Sequence, residues 1–321
     1  MSSPPEATLV LGGTGFLGAH VVAEAVRRAQ ALATMADPLG PPVVAVGRQI
    51  DAAPRFSSPR DAADWLAADL AEEGRAVQLL EEEQPRLVVL CTALSRVGTC
   101  AEDPDLASRL NVELPRTVAL WCHENERRLV HVSTDLVFGA EPPPRATGFR
   151  EEDTPAPVSV YGRTKAEGEQ AVLEASSSAL VVRLPLLYGN SGGRGQGASD
   201  SLLEAVDRDL EPQLFTDELR TPLEVSNAAE ALLELGEGTE SGLLHVAGPR
   251  ALSRFDLGVT VLEAMGLSPE EARGSIRATT RSAAPELGER PGDTSLDSAR
   301  ARGLLECDLL DAAAGMERAL R

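Results

Sequence analysis

Lysine is nearly missing from this sequence: Lys165 stands alone among 30 basic residues, and all the others are arginine. Arginine supplies positive charge wherever a generic one serves, so position 165 is one that needs an amine. Aromatics are scarce as well, at 3% of the chain, yet Tyr161, one of two tyrosines, lies four residues before that lysine. Cysteine and histidine number four each and are scattered without Cys-x-x-Cys spacing, which argues against a zinc or other metal site and against a disulfide framework. No apolar run approaches the ~18 residues of a membrane span. The polar, proline-containing start, Met1–Glu6, has no basic leader or cleavage site, so a cytoplasmic location is expected. The formal net charge of −20 disfavours nucleic acid and anionic membrane surfaces as partners.

What is present is a core-forming chain of 321 residues, 43% hydrophobic. Short apolar runs at 8–11, 43–46, 87–91, 129–132 and 180–184 read as strands. Segments with helical spacing lie between most of them, clearest at 16–33, 76–83 and 105–123. Strands alternating with helices imply an α/β fold, a doubly wound parallel sheet. After Leu187 the regularity stops. Residues 189–197 read as a glycine-rich loop, followed by helices at 201–210, 227–235 and 254–265 and a strand at 243–247.

Four groups of residues carry chemistry. Gly12-Gly13-Thr14-Gly15-Phe16-Leu17-Gly18 joins the first strand to the first helix, where glycines let the backbone approach a pyrophosphate resting on the helix N-terminus. This makes the sheet Rossmann-type. The second strand ends at Arg48, where an NAD site would place an acid against the ribose; a guanidinium there suits a 2′-phosphate and favours NADP(H), with NAD(H) as the alternative. Asp69-Leu70 reads either as an adenine contact or as a helix N-cap. Residues 159–174 are helix-forming, so Tyr161 and Lys165 share one face, and a nearby ammonium lowers a phenol's pKa into the range of general acid–base work. Val132-Ser133-Thr134-Asp135 puts hydroxyls at the C-terminal end of a buried strand, where such sheets bind ligands and where a hydroxyl either polarises a carbonyl or caps the strand.

Together with Arg183-Leu184-Pro185, Arg220-Thr221-Pro222 and Arg290-Pro291, these groups resemble the extended short-chain dehydrogenases/reductases. Within them the chain looks most like the dTDP-4-dehydrorhamnose reductase group, which includes the regulatory β subunit of methionine adenosyltransferase. The resemblance implies a catalytic triad of Thr134, Tyr161 and Lys165 acting on a nucleotide-linked 4-keto sugar with NAD(P)H. It implies a cofactor site formed by Gly12, Thr14, Gly15, Phe16, Leu17, Gly18, Arg48, Asp69, Leu70 and Ala93 with Tyr161 and Lys165. Substrate is expected at Asp135, Arg96, Leu186, Arg220 and Arg290, and Asn111 is expected to be structural. Residues 1–187 are expected to form the NAD(P)-binding domain, with segments around 220–247 contributing, and 188–321 a smaller substrate-binding lobe; a homodimer is compatible. Leu186 stands where rhamnose-pathway reductases carry a tryptophan, and Arg96 lies in a stretch that also departs from theirs. Leu136 stands where sugar-nucleotide dehydratases place a glutamate. An epimerase and an NADP-binding regulatory subunit without turnover stay open as alternatives.

Overall fold

A computed structural model describes residues 7–33, 40–52, 62–208, 210–285 and 290–320. The segment Met1–Glu6 lies outside the described residues. In chain order the first elements are β1 (Thr8–Leu11), α1 (Phe16–Ala31), β2 (Val43–Gly47), β3 (Asp64–Ala67), α2 (Arg75–Glu83), β4 (Leu87–Leu90), α3 (Val97–Glu102) and α4 (Pro104–Ser108). A π-helical turn (Arg109–Glu113) leads into α5 (Leu114–Glu124), β5 (Arg128–Thr134), α6 (Val160–Ala175) and β6 (Leu180–Leu184). Then come β7 (Leu187–Tyr188), α7 (Gly197–Asp207), β8 (Gln213–Phe215), β9 (Leu219–Arg220), β10 (Leu223–Glu224), α8 (Val225–Glu237) and β11 (Gly242–His245). The last are β12 (Leu252–Ser253), α9 (Arg254–Ala264), α10 (Pro269–Gly274), β13 (Arg277–Thr279), α11 (Ala299–Arg302) and α12 (Ala312–Ala319).

Seven strands form one sheet in the order β11-β6-β5-β4-β1-β2-β3. The pairs β1/β2, β1/β4, β2/β3 and β4/β5 are parallel. The reversal of strand order at β1/β4 is the signature of a Rossmann-like α/β fold, and ligands bind at the carboxyl ends of strands beside such a switch. The strands β1, β2 and β4 are buried along their whole length, which is why they read as unbroken apolar runs rather than alternating ones.

The chain divides into two compact units. The first comprises Met1–Ser133, Thr164–Val182 and Ala229–Leu243; the second comprises Thr134–Arg163, Arg183–Ala228 and Leu244–Arg321. The first unit's core packs Leu9, Leu11, Val46, Leu79, Leu80, Leu90, Val118 and Trp121. Each such side chain, fully buried, is worth roughly 1.5–3 kcal/mol. The second unit's core is built around Tyr188, Leu202, Leu257, Val261, Leu262 and Met316. Among the described residues, no helix is long and apolar enough to cross a membrane.

Two expectations are refined. The helix expected over 105–123 is α4 and α5 joined by the π turn, a single-turn insertion of the kind that re-aims side chains. Asp103 caps its start, accepting the Leu106 amide at 2.9 Å ahead of Pro104. The helix expected from Ser201 already begins at Gly197, within the glycine-rich stretch.

Gly168, in the interior of α6, explains how closely that helix packs on the π turn: a Cβ there would overlap the Asn111 carbonyl oxygen. Gly168→Ala is therefore expected to lower the urea midpoint by an amount equivalent to about 1–3 kcal/mol. Gly98→Ala, where a methyl meets nothing within 4 Å in α3, is expected to stabilise by up to about 1 kcal/mol.

Candidate active site

The glycine turn is tied to the sheet by its own backbone. The amides of Gly12 and Gly13 donate to the Val46 carbonyl at 2.9 and 2.8 Å, and Gly15 donates to Gly12 at 3.0 Å. Gly12 holds φ +91, and a Cβ there would come within 2.7 Å of the Thr92 amide nitrogen. Helix α1 starts after Gly15 with no side-chain cap and no acid in its first turn. Its N-terminal amides and dipole thus face an open cradle, a fit for a dinucleotide pyrophosphate. The Thr14 side chain packs on Gly47 at the end of β2, and exposed Arg48 follows directly.

On α6, Lys165 is one turn after Tyr161 and is only 1% exposed. Its Nζ donates to the Val132 carbonyl of β5 at 2.7 Å and lies 3.3 Å from His131 Nε2. Burial pulls the ammonium pKa from 10.5 down to about 8, with Glu169 and then Cys91 acting in the opposite sense. His131 is pushed well below the usual histidine range by burial and by Lys165, so its ring is neutral. Ser133 donates to Glu169 Oε1 at 2.5 Å. Asn111, fully buried in the π turn, accepts from the Leu94 amide at 2.9 Å and donates to the Leu94 carbonyl at 3.2 Å and to Thr164 Oγ1 at 3.0 Å. It fastens α6 to the loop after β4, the structural role expected of it.

Within the second unit, the residue after Tyr161 packs on the turn that follows Thr134: a Cβ on Gly162 would overlap the Leu136 carbonyl oxygen. Tyr161 is itself buried. Thr134 accepts the Leu136 amide at 3.2 Å and donates to Asp135 Oδ1 at 3.2 Å, so it is Thr134 rather than Ser133 that caps the strand end. Asp135 also accepts from Thr294 Oγ1 at 2.8 Å and faces Arg220 Nε at 3.5 Å. Burial raises its pKa, opposed by Arg220 and the two hydroxyls. Arg220 in turn donates to the carbonyls of Leu219 and Gly292, both at 2.7 Å, and of Pro291 at 3.2 Å. Arg290 pairs with buried Glu218 and lies 5.0 Å from the Phe215 ring centre. Burial lowers the pKa of Arg254 beside this group, with Glu218 opposing and Arg220 and Arg290 adding to the fall.

The remaining expected residues are dispersed. Asp69 closes its own turn, accepting the Ala71 amide at 2.9 Å, and Leu70 is buried in the first unit's core. Ala93 is half-buried, Arg96 is exposed at the start of α3, and Leu186 packs at the edge of the second unit's core. Among the described residues no three potential ligands group in a way that could hold a metal ion. Sequence reasoning passed over Glu169, His131, Thr294 and Glu218. Helical spacing from Lys165 gives a signal for Glu169, and strand alternation from Ser133 gives one for His131. Nothing local marks Thr294, which meets Asp135 across 159 residues of chain.

A glycine turn at the switch point of a doubly wound sheet and a Tyr-x-x-x-Lys helix accord with a nicotinamide-dinucleotide oxidoreductase of the short-chain dehydrogenase/reductase type, the class to which the chain's relatives assign it. The chain belongs to the RmlD substrate binding domain family, whose model matches residues 6–320. It is 32% identical over 305 residues to a probable low-salt glycan biosynthesis reductase of Haloferax volcanii, covering 93% of this chain and 92% of that protein. It is 36% identical over 217 residues to a dTDP-4-dehydrorhamnose reductase of Mycolicibacterium smegmatis, covering 67% and 63%. The methionine adenosyltransferase 2 β subunit of Pongo abelii is 29% identical over 239 residues, covering 72% and 69%. In fold the chain is similar to the dTDP-4-dehydrorhamnose reductase of Bacillus anthracis solved with NADP, with a TM-score of 0.76, 20% identity and 98% of each chain covered.

Asn111→Ala leaves the Leu94 amide and carbonyl and the Thr164 hydroxyl without this partner in a buried setting. It is expected to cost about 2–4 kcal/mol in urea unfolding, with the amide of Leu94 losing hydrogen-exchange protection.

Proposed function

We propose that the chain is an NADPH-preferring reductase of a keto group on a nucleotide-linked sugar, most closely a 4-keto sugar. One observation carries the reading: the sole lysine is buried one helical turn after Tyr161, its amine hydrogen-bonded to the β5 carbonyl just before Ser133-Thr134 and drawn down to about pH 8. A surface lysine would need neither the burial nor the strand carbonyl.

A nicotinamide dinucleotide, when bound, would contribute the hydride that reduces the carbonyl carbon. Tyr161 donates its phenolic proton to the carbonyl oxygen, and the Thr134 hydroxyl turns from its long bond with Asp135 to the same oxygen. The Lys165 charge favours the phenolate left behind, and its one N–H not given to Val132 or His131 would hold the nicotinamide ribose. Gly12–Gly18 holds the pyrophosphate, and exposed Arg48 pairs with the 2′-phosphate. Asp135 orients the sugar. Arg220, its guanidinium spent on Asp135 and on backbone carbonyls, fixes that carboxylate, while half-exposed Arg290 is the cation offered to the nucleotide diphosphate. Leu136, in place of a dehydratase glutamate, leaves elimination without its acid.

Turnover of a panel of nucleotide-linked keto sugars, followed by NADPH absorbance, tests this. Tyr161→Phe is expected to lower kcat ~10²–10⁴-fold while leaving NADPH affinity unchanged; retained turnover would remove the phenol as proton donor. NADPH is expected to bind more tightly than NADH, and Arg48→Ala to erase the difference; equal affinities in the parent protein would sink the assignment of Arg48. The base Lys165 is charged below its pKa, so its help is present at neutral pH and is lost as pH rises through about 8; kcat is expected to fall over that interval.

A further inference from the structure

The proposed reaction gives Lys165 a charge to carry but does not say what sustains that charge at 1% exposure. Three titratable groups face the amine within the first unit: His131 on β5, Cys91 just past β4, and Glu169 one turn further along α6. The imidazole offers Nε2 to an ammonium that can only donate, so its hydrogen resides on Nδ1. That Nδ1 is buried with no hydrogen-bond partner among the described residues, so the ring is a neutral acceptor with no second group to pass a proton to. Burial pushes the Cys91 thiol up to about 12, which leaves it uncharged as well. Glu169 differs from both. It is 3% exposed, four residues from Lys165 on the same helical face, and clamped by the Ser133 hydroxyl at 2.5 Å. Ser133 flanks Val132, whose carbonyl takes the amine, so one short strand segment holds both ends of the pair.

We infer that Glu169, fixed by Ser133, is a positioning residue: it supplies the counter-charge that keeps the buried Lys165 amine protonated and aimed at the β5 carbonyl, with His131 as a neutral acceptor. The inference deepens the role of Lys165 proposed above and rests on it for its catalytic meaning. In the unliganded protein the interaction exists whether or not turnover does. A carboxylate so placed raises the amine's pKa against the pull of desolvation, and removing its charge leaves desolvation unopposed.

The lone lysine makes the test a single-site measurement. Protein grown with ¹³Cε,¹⁵Nζ-lysine carries one labelled amine, and its shift is followed by NMR against pH without substrate or cofactor. The parent midpoint is expected near 8. Glu169→Gln is expected to lower it by about one unit or more, Glu169→Asp to restore most of that, and Ser133→Ala to lower it by less. The alkaline limb of kcat moves by the same amounts. A midpoint that Glu169→Gln leaves unmoved overturns the inference, as does a parent midpoint near ~10.4, the value of a solvated lysine. Should Glu169→Gln fail to fold, the Ser133→Ala midpoint decides alone: a fall supports the clamp, and no change removes it. Retained turnover in Tyr161→Phe would retire the catalytic reading without touching the titration. A titration unmoved in Glu169→Gln would retire the counter-charge without touching Tyr161.

Discussion

A buried amine bonded to a strand carbonyl ties α6 to the central sheet. Lys165 reaches Val132 only because α6 lies close along β5, and α6 lies close because Gly168 has no side chain to hold it off the π turn. Asn111 then links the same turn to the loop after β4 and to Thr164, the residue before the lysine. The amine's position is therefore over-determined by contacts within the first unit. Loosening any of them would show first in the orientation of α6, and only through it in the chemistry.

The second unit has a comparable anchor with opposite signs. Asp135 sits at the end of β5 in a buried carboxylate–guanidinium pair with Arg220, and Arg220 spends its other donors on the backbone of 291–292. A buried pair of this kind adds little stability over an apolar replacement, but breaking one side leaves an uncompensated charge, so its geometry is tightly held. The acidic chain thus places its scarce positive charge inside its framework here, leaving Arg290 half-exposed beside Glu218.

The fold was legible because the central strands β1, β2 and β4 are buried along their whole length, unlike the edge strand β3. The continuous apolar runs at 43–46 and 87–91 became β2 and β4, and the glycine turn declared the first βα unit. Tyr161 and Lys165 stood out through rarity and spacing. The π turn did not, since helical periodicity survives a one-residue insertion and nothing in Leu110-Asn111-Val112 announces it. The hydroxyls of Ser133-Thr134 were read either as substrate contacts or as a strand cap; the cap falls to Thr134, through the Leu136 amide, a local bond no pattern of residue types distinguishes. Thr294 was invisible for a different reason: its partner lies across the chain, and long-range polar pairs leave no periodic trace.

Concentrating all ε-amine chemistry at one enclosed position has a consequence for the surface. Electrophiles that acylate, carbamylate or glycate proteins act on exposed, deprotonated lysines, and this protein presents none: its outer cations are guanidiniums, too weakly nucleophilic at neutral pH to compete. The one lysine amine is the exception to that surface, enclosed at 1% exposure.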